Sequence, residues 1–441
     1  MKITEDTFRL VANTIRCLCA DMIEKAKSGH PGAAMGMADL ASVLWLKHLN
    51  VDPKDPEWAG RDRLVFSGGH ASSLVYALFH LSGMGGLSMD ELKTFRQWGS
   101  RCAGHPERGV APGVEVTTGP LGQGIAMGVG LALAAKKAKV ANRTWVFCGD
   151  GDLEEGISHE AASFAGALKL DNLTLIYDSN HITIEGDTAL AMADDAKKRF
   201  ESYGWKVFSC DGHDYDAIDR TYRKALKVTG QPTLIIAKTH IGFGAPTKHD
   251  TSAVHGAPLG AEELAGLKTA LGFDPAQFFE VPGAVLDTFE DRGAACHRMN
   301  LRWKKLFKAW QAANPEKAAA REAAARGTIP PDLATKLPVF DPAKPVATRA
   351  ACGTVMNALA PEVPFLVGGS ADLEPSNKTA LKEYGWIAAG DFTGRLAMQE
   401  DFRMLPYGAI WNGLCERNGV LPDGAWLFDC KDYEKRVTSR R

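Results

Sequence analysis

An α/β protein built on a doubly wound, mostly parallel sheet, followed by an incomplete second α/β domain, is what this sequence predicts. Three observations carry that prediction. Between Arg143 and Tyr177 a buried strand, an alanine-rich helix and a second strand follow one another. Pro232-Thr233-Leu234-Ile235-Ile236-Ala237 adds a further apolar strand. A proline-rich stretch near position 340 is followed by a helical pattern and by Pro364-Phe365-Leu366-Val367-Gly368-Gly369-Ser370, a strand entering a glycine turn. A strand, crossover helix and strand in that order make parallel neighbours, and such sheets hold ligands at the carboxyl ends of their strands.

In chain order, Asp6 to Lys27 has helical spacing and ends in Ser28-Gly29-His30-Pro31-Gly32, and a second helix is expected over Met35 to His48. Asp62 to Phe66 reads as a short strand running into Ser67-Gly68-Gly69-His70. Arg143 to Cys148 is a strand, Gly149-Asp150-Gly151-Asp152 the loop at its end, Glu155 to Leu168 a helix, and Leu173 to Tyr177 a strand closed by Asp178-Ser179-Asn180. Ala, Glu, Lys and Arg over Glu316 to Arg326 form a soluble helix pattern, and Pro330, Pro331, Pro338, Pro342 and Pro345 give linker composition. The expected organisation is a domain over 1–310, a linker over 311–345 and an incomplete domain over 346–441.

Composition narrows the function classes. The 441 residues are 45% hydrophobic and 24% charged with a net charge of -2, which gives no reason to expect nucleic acid or an anionic membrane as partner. Nine cysteines lack the CxxC spacing of a zinc site, and their odd number does not suit a disulfide framework. The start, Met-Lys-Ile-Thr-Glu-Asp, is acidic and has no continuous apolar core, so no signal peptide is expected. No run approaches the roughly 20 apolar residues of a membrane span. A reduced, cytoplasmic protein is the expectation.

Asp150 and Asn180 carry the chemistry. Both lie at the carboxyl ends of adjacent strands, hence on one rim of the sheet. A magnesium ion takes oxygen ligands from a few protein groups and from phosphate. Asp150 offers a carboxylate, Asn180 an amide oxygen, and Ile182 a backbone carbonyl. Gly151 and Gly156 free amides beside the next helix, whose N-terminus favours phosphate. A lone Gly-Asp-Gly is equally an ordinary turn; the flanking strands make it a cradle for a magnesium diphosphate.

His30, His70, His105 and His255 form a second group, each beside glycine: Ser-Gly-His-Pro-Gly, Gly-Gly-His-Ala-Ser, Ala-Gly-His-Pro-Glu and Val-His-Gly-Ala-Pro. Loop imidazoles so held suit a polyhydroxylated or phosphorylated substrate and proton transfer near neutral pH. Any one of them could equally be structural; their shared setting is what argues for a site. His48, His80, His159, His213 and His297 read as structural, and none of these histidines has paired zinc-ligand spacing. Gly119 to Gly124 permits close approach of a flat ligand, with Leu121 able to wedge against a ring, although such a turn before a helix is commonly packing.

These residues resemble the transketolase family. The motifs that do so, in order, are Ser28 to Gly32, Gly104-His105-Pro106-Glu107, Gly119 to Gly124, Gly149-Asp150-Gly151, Glu155-Gly156-Ile157-Ser158-His159-Glu160, Lys238-Thr239 with Ile241 to Gly244, His255 to Gly260, and Gly368 to Leu373. The resemblance covers about residues 5 to 380. It implies the thiamine-diphosphate-binding fold, with thiamine diphosphate and magnesium as cofactors, sugar phosphates as substrates, and a homodimer in the pentose phosphate pathway. Asp150, Asn180 and the Ile182 carbonyl would hold magnesium, while Gly119, Leu121, Gly151, Glu155, Gly156, His70 and His255 would line the cofactor. His30, His105 and His255 would contact sugar hydroxyls, Arg349 and Ser376 the substrate phosphate, and Asp372 the sugar channel. The implied reaction moves a two-carbon ketol unit from a ketose phosphate to an aldose phosphate.

The sequence then departs from that pattern. Gly408-Ala409-Ile410-Trp411-Asn412-Gly413 resembles the helix after the family's catalytic glutamate, yet counting back puts Met404 at the glutamate's place. Glu400 is the nearest acid and the candidate for that role. Trp426, Phe428 and Tyr433 match the family's pyrimidine-stacking aromatics out of register, with Cys430 at the middle ring. The expectation is a transketolase chain truncated or altered late. Alternatives are a thiamine-diphosphate-binding subunit that is catalytically incomplete alone, and a related enzyme such as a dihydroxyacetone synthase.

Overall fold

A computed structural model of the chain describes residues 3–370 and 373–398. Five parallel strands form the main sheet: β1 (Arg63–Phe66), β2 (Thr144–Gly149), β3 (Leu173–Ser179), β4 (Lys206–Asp211) and β5 (Thr233–Lys238), in the order β1-β2-β3-β5-β4. Register sets Phe66 against Phe147 and Gly149 against Asp178. Because strand side chains alternate, Phe147 and Ile176 face one layer of helices and Val146, Cys148, Leu175 and Tyr177 the other. The first layer holds Glu5–Ala26, Ser72–Ser82 and Tyr215–Ala225; the second holds Gln123–Lys137 and Gly156–Ala167. With helices on both faces, β2 and β3 are buried almost throughout and mainly apolar, as central parallel strands are.

Three expectations are corrected. The helix expected over Met35 to His48 is broken into Pro31–Gly36, Ala38–Val43 and a wide turn, Leu44–His48. The break lies where Gly36 lets the His240 carbonyl come within 3.0 Å of where a Cβ would sit. The loop expected at Gly149 to Asp152 is the last residue of β2 plus a single helical turn, Asp150–Glu154. Asp152 causes it, since its carboxylate accepts from the Gly149 amide at 2.9 Å and closes the turn. β4 was not expected at all: it is an edge strand, Lys-Val-Phe-Ser-Cys-Asp, with Lys206, Ser209 and Asp211 exposed, so it carries no apolar run.

Within the stretch read as linker, Gly283–Ala313 ends at Asn314 and Pro315–Arg326 is helical. Beyond it, the helix Thr348–Leu359 precedes a two-stranded parallel sheet of β6 (Gly368–Ser370) and β7 (Leu396–Met398). Val367, Ile387 and Ala397 are buried in the same apolar cluster as Val146 and Leu175. Among the described residues no helix is long and apolar enough to cross a membrane. Cys17, Cys19, Cys102, Cys148 and Cys296 are buried free thiols, and burial pushes the first three up to about 12.

Within the second layer the chain approaches itself closely at Gly166, where an added Cβ would lie 1.7 Å from the carbonyl oxygen of Tyr203, just past the helix Ala196–Ser202. That neighbour is backbone and has no rotamer to yield. Gly166→Ala is therefore expected to destabilise the chain by about 3 kcal/mol, the upper part of the overpacking range. A melting midpoint equal to that of the parent would contradict it.

Candidate active site

Each catalytic candidate stands where a strand or helix ends. The first long helix closes at Lys27 in the left-handed conformation, and Gly29 follows at φ +146°, which turns His30 inward. β1 delivers Gly69 and His70, and no side chain fits at Gly69, since a Cβ there would lie 2.8 Å from the Thr118 backbone carbon. His255 follows the short turn Ser252–Val254. The rings of His30, His70 and His255 converge: centroids are 5.1 Å apart for His30–His70, 5.5 Å for His70–His255 and 6.0 Å for His30–His255. His105 borders them beside Gly119, whose added Cβ would stand 3.5 Å from the His105 ring. The four glycine-flanked histidines therefore share one place.

Burial holds all four neutral. It lowers His70 to about 3 and His30 to about 4, with the neighbouring imidazoles and Arg96 adding to the effect, and it lowers His105 and His255. Arg96, which the sequence did not single out, sits at φ +60° and reaches Ser28 Oγ at 2.9 Å and His30 Nδ1 at 3.1 Å. A guanidinium only donates, so His30 accepts at Nδ1 and carries its proton on Nε2. His255 Nδ1 is buried without a hydrogen-bond partner.

On the same rim of the sheet lies an acidic pocket. Asp150 is 4% exposed; one oxygen accepts from the Tyr177 hydroxyl and the other, Oδ2, is buried without a partner. Asn180, just past β3, donates to Asp178 at 3.0 Å while its carbonyl oxygen accepts from the Ile182 amide at 3.0 Å. His181 between them has φ +62°, which turns the chain back on itself. Burial pushes the Asp150 carboxyl up to about 6. Burial and the nearby Asp150 charge push Asp178 up to about 7, against the pull of the Thr239 hydroxyl. Asp178 and Asp152 were also missed by sequence reading. Asp178 orients Asn180; Asp152 accepts from Ser67 Oγ at 2.6 Å and the Gly122 amide at 2.7 Å, tying together three site loops.

A buried carboxylate oxygen with no donor, beside a second acid, is short of a positive charge. The donor set of carboxylate and amide oxygens suits a hard divalent cation. Gly151 keeps the space above it open, since a Cβ there would meet Leu121 at 3.0 Å. Glu155 and Gly156 are exposed at the start of the helix Gly156–Ala167, where free amides favour phosphate. The residues present fit a cation-bound diphosphate.

Comparison with known proteins decides the family. The profile described as the thiamine diphosphate binding domain of transketolase matches residues 7–330. The chain belongs to the transketolase family. It is 45% identical to the transketolase of Geobacillus stearothermophilus over 96% of this chain and 65% of that one. It is similar to the solved transketolase of Leishmania mexicana (TM-score 0.90, 41% identity, 94% of this chain and 63% of that one). It is likewise similar to the Pichia stipitis transketolase solved with sedoheptulose 7-phosphate (TM-score 0.89, 40% identity, 93% and 63%). The chain thus spans somewhat under two thirds of the relatives it matches. A second profile, described as L-rhamnose isomerase, matches residues 370–441.

Arg349 is exposed in the first turn of Thr348–Leu359, and Ser376 is exposed in the short helix Glu374–Asn377. Among the described residues no hydrogen bond joins either to the histidine cluster. Asp372 and Glu400 lie outside the described residues, as do Met404 and the aromatics from Trp426 onward. His48, His213 and His297, read as structural, are paired with Asp219, Asp39 and Asp52 at 2.8, 2.7 and 2.9 Å.

The raised carboxyls make cation binding pH-dependent. Folded values above the unfolded one mean that Asp150 and Asp178 stabilise the metal-free chain below about pH 4 and lose that contribution as pH rises through about 6 and 7. His30 and His70 run the other way, their contribution present above about 6.5 and lost as pH falls through about 4 and 3. A cation relieves only the ionised carboxylates. Magnesium with thiamine diphosphate should therefore raise the melting midpoint more at about pH 8 than at about pH 5.5. Equal shifts at both pH values would contradict this.

Proposed function

We propose that this chain carries the cation- and diphosphate-binding part of a transketolase, which moves a two-carbon ketol unit from a ketose phosphate to an aldose phosphate. The observation that carries the reading is the buried, unpaired Asp150 Oδ2 on the rim where the neutral histidines converge. Asp150, Asn180 and the Ile182 carbonyl would hold magnesium. Gly119, Leu121, Gly151, Glu155, Gly156, His70 and His255 would line thiamine diphosphate. When bound, that cofactor supplies the electron sink for breaking and forming the ketose carbon–carbon bond.

The chain's own residues supply the rest. His30, with Nδ1 engaged by Arg96, is ready to donate from Nε2 to a sugar hydroxyl, while neutral His105 and His255 are ready to accept hydrogen bonds from sugar hydroxyls and to take up or return a proton at a ring nitrogen. Arg96 keeps His30 in one tautomer. Arg349 offers a fork for a substrate phosphate, with Ser376 and Asp372 beside the sugar. A homodimer in which one copy's second domain faces the other's cradle would bring these residues to the site. A cytoplasmic setting in the pentose phosphate pathway accords with this chemistry.

A second reading is favoured by Met404 standing where the family's glutamate is expected: a chain that binds thiamine diphosphate but does not turn over alone. The test is two-carbon transfer from xylulose 5-phosphate to ribose 5-phosphate with magnesium and thiamine diphosphate present. Turnover abolished by Asp150→Ala supports the enzyme, and Glu400→Gln then tests the candidate glutamate. Cofactor binding without turnover supports the second reading.

A further inference from the structure

We infer that the loop between β5 and His255 carries a surface site for a borderline-soft divalent transition metal, of the zinc, cobalt or nickel class, formed by His240, His249 and Asp250. The inference stands apart from the thiamine diphosphate reading, since none of these residues belongs to that site.

Their potential ligand atoms all lie within 4.8 Å of one another. His240 Nδ1 and His249 Nε2 both point at one oxygen, Asp250 Oδ2, at 2.7 and 2.8 Å. The two rings stand 5.2 Å apart and steeply inclined, so they approach that oxygen from different directions. Two imidazoles and a carboxylate suit zinc-like ions, whereas magnesium and calcium take oxygen ligands.

The framework is built rather than incidental. The His240 amide donates to His213 Nε2 at 3.0 Å, and His213 stacks on the His240 ring at 5.5 Å. His213 is itself held at Nδ1 by buried Asp39 at 2.7 Å. Asp250 takes φ +58°, uncommon for a residue with a side chain. Its amide donates to the Ile241 carbonyl at 3.0 Å, which brings the two arms of the loop together. All three candidate ligands are exposed, so water can fill the remaining positions.

Coordination asks for a modest change. Metal–ligand distances of about 2.0–2.2 Å require the imidazole nitrogens to stand a few tenths of an ångström further from the carboxylate than their hydrogen bonds place them. Exposed side chains allow this. Each coordinating nitrogen is deprotonated, its proton passing to the other ring nitrogen or to solvent, so binding weakens in acid. A bound ion would tie the exit of β5 to the arm leading into His255, and so stiffen the loop that presents it.

The test uses the full chain without an affinity tag, with magnesium in excess to occupy the Asp150 site. Cobalt(II) is titrated and followed by its visible d–d absorption. One cobalt per chain is expected, with affinity reduced by about tenfold or more in His249→Ala and in Asp250→Gly. Glycine accepts the φ of Asp250, so the second variant keeps the loop while removing the carboxylate. Zinc should raise the melting midpoint of the parent but of neither variant. Absence of cobalt binding by the parent, or unchanged affinity and spectrum in both variants, would overturn the inference and leave a hydrogen-bonded surface cluster.

Discussion

Asp150→Ala is expected to weaken magnesium-dependent thiamine diphosphate binding by about a hundredfold or more. The reasoning is electrostatic. Asp150 is 4% exposed, its Oδ2 has no donor, and its neighbour Asp178 is also an acid raised by burial. That arrangement disfavours ionisation in the empty chain, and a divalent cation reverses it by offering the missing positive charge. Removing the carboxylate would delete a proposed ligand directly, a larger effect than the 10- to 100-fold or so that follows loss of an outer partner. Asp178→Asn, which disturbs the hydrogen bonds to Asn180 and Thr239 but leaves Asp150 in place, should fall within that outer-partner range. Calorimetric titration of both variants checks the order, and equal affinities for Asp150→Ala and the parent would contradict the assignment of Asp150.

Asp39→Ala is expected to produce the largest loss of stability, about 3–5 kcal/mol, as when one partner of a buried ion pair is removed. Arg16 and Asp39 are 1% and 2% exposed and paired with each other. Asp39 also accepts from His213 at 2.7 Å and from the Tyr215 hydroxyl at 2.7 Å. Without it Arg16 would keep the Met35 carbonyl at 3.0 Å and Asn13 at 2.9 Å but remain a buried cation with no counter-charge. The melting midpoint should drop by several degrees, whereas Glu5→Ala, which breaks an exposed pair with Arg9, should leave it unchanged. Similar midpoints for the two variants would contradict the importance given to the buried pair.

The parts of the fold that were legible are those in which one physical cause acts within a few residues. β2, β3 and β5 are largely buried on both faces, so each reads as a mainly apolar run, and helices between them dictate parallel pairing. β4 is an edge strand whose identity comes from its neighbour β5, a cause no local pattern contains. The helical turn at Asp150 depends on a contact from Asp152 back to Gly149, which looks like loop composition until the geometry is known.

The site divides in the same way. The glycine-flanked histidines share a local grammar because each sits in a tight turn, and so they could be grouped before their rings were seen to converge. Arg96 has no such signature: its reach to His30 crosses from a separate loop. Asp178 looked like the polar end of a strand, and its role depends on a buried acid two residues from Asn180. The partners of His213 and His297 left no local signal because Asp39 and Asp52 are far away in sequence.

The central claim is that the chain builds a cation-dependent diphosphate cradle around Asp150. Calorimetric titration of thiamine diphosphate into the unmodified chain, with magnesium and then with a chelator in its place, tests it most directly. The prediction is one cofactor per chain with magnesium and no measurable heat of binding with the chelator. Binding that is indifferent to the cation, or no binding by a folded chain with magnesium present, would contradict the claim.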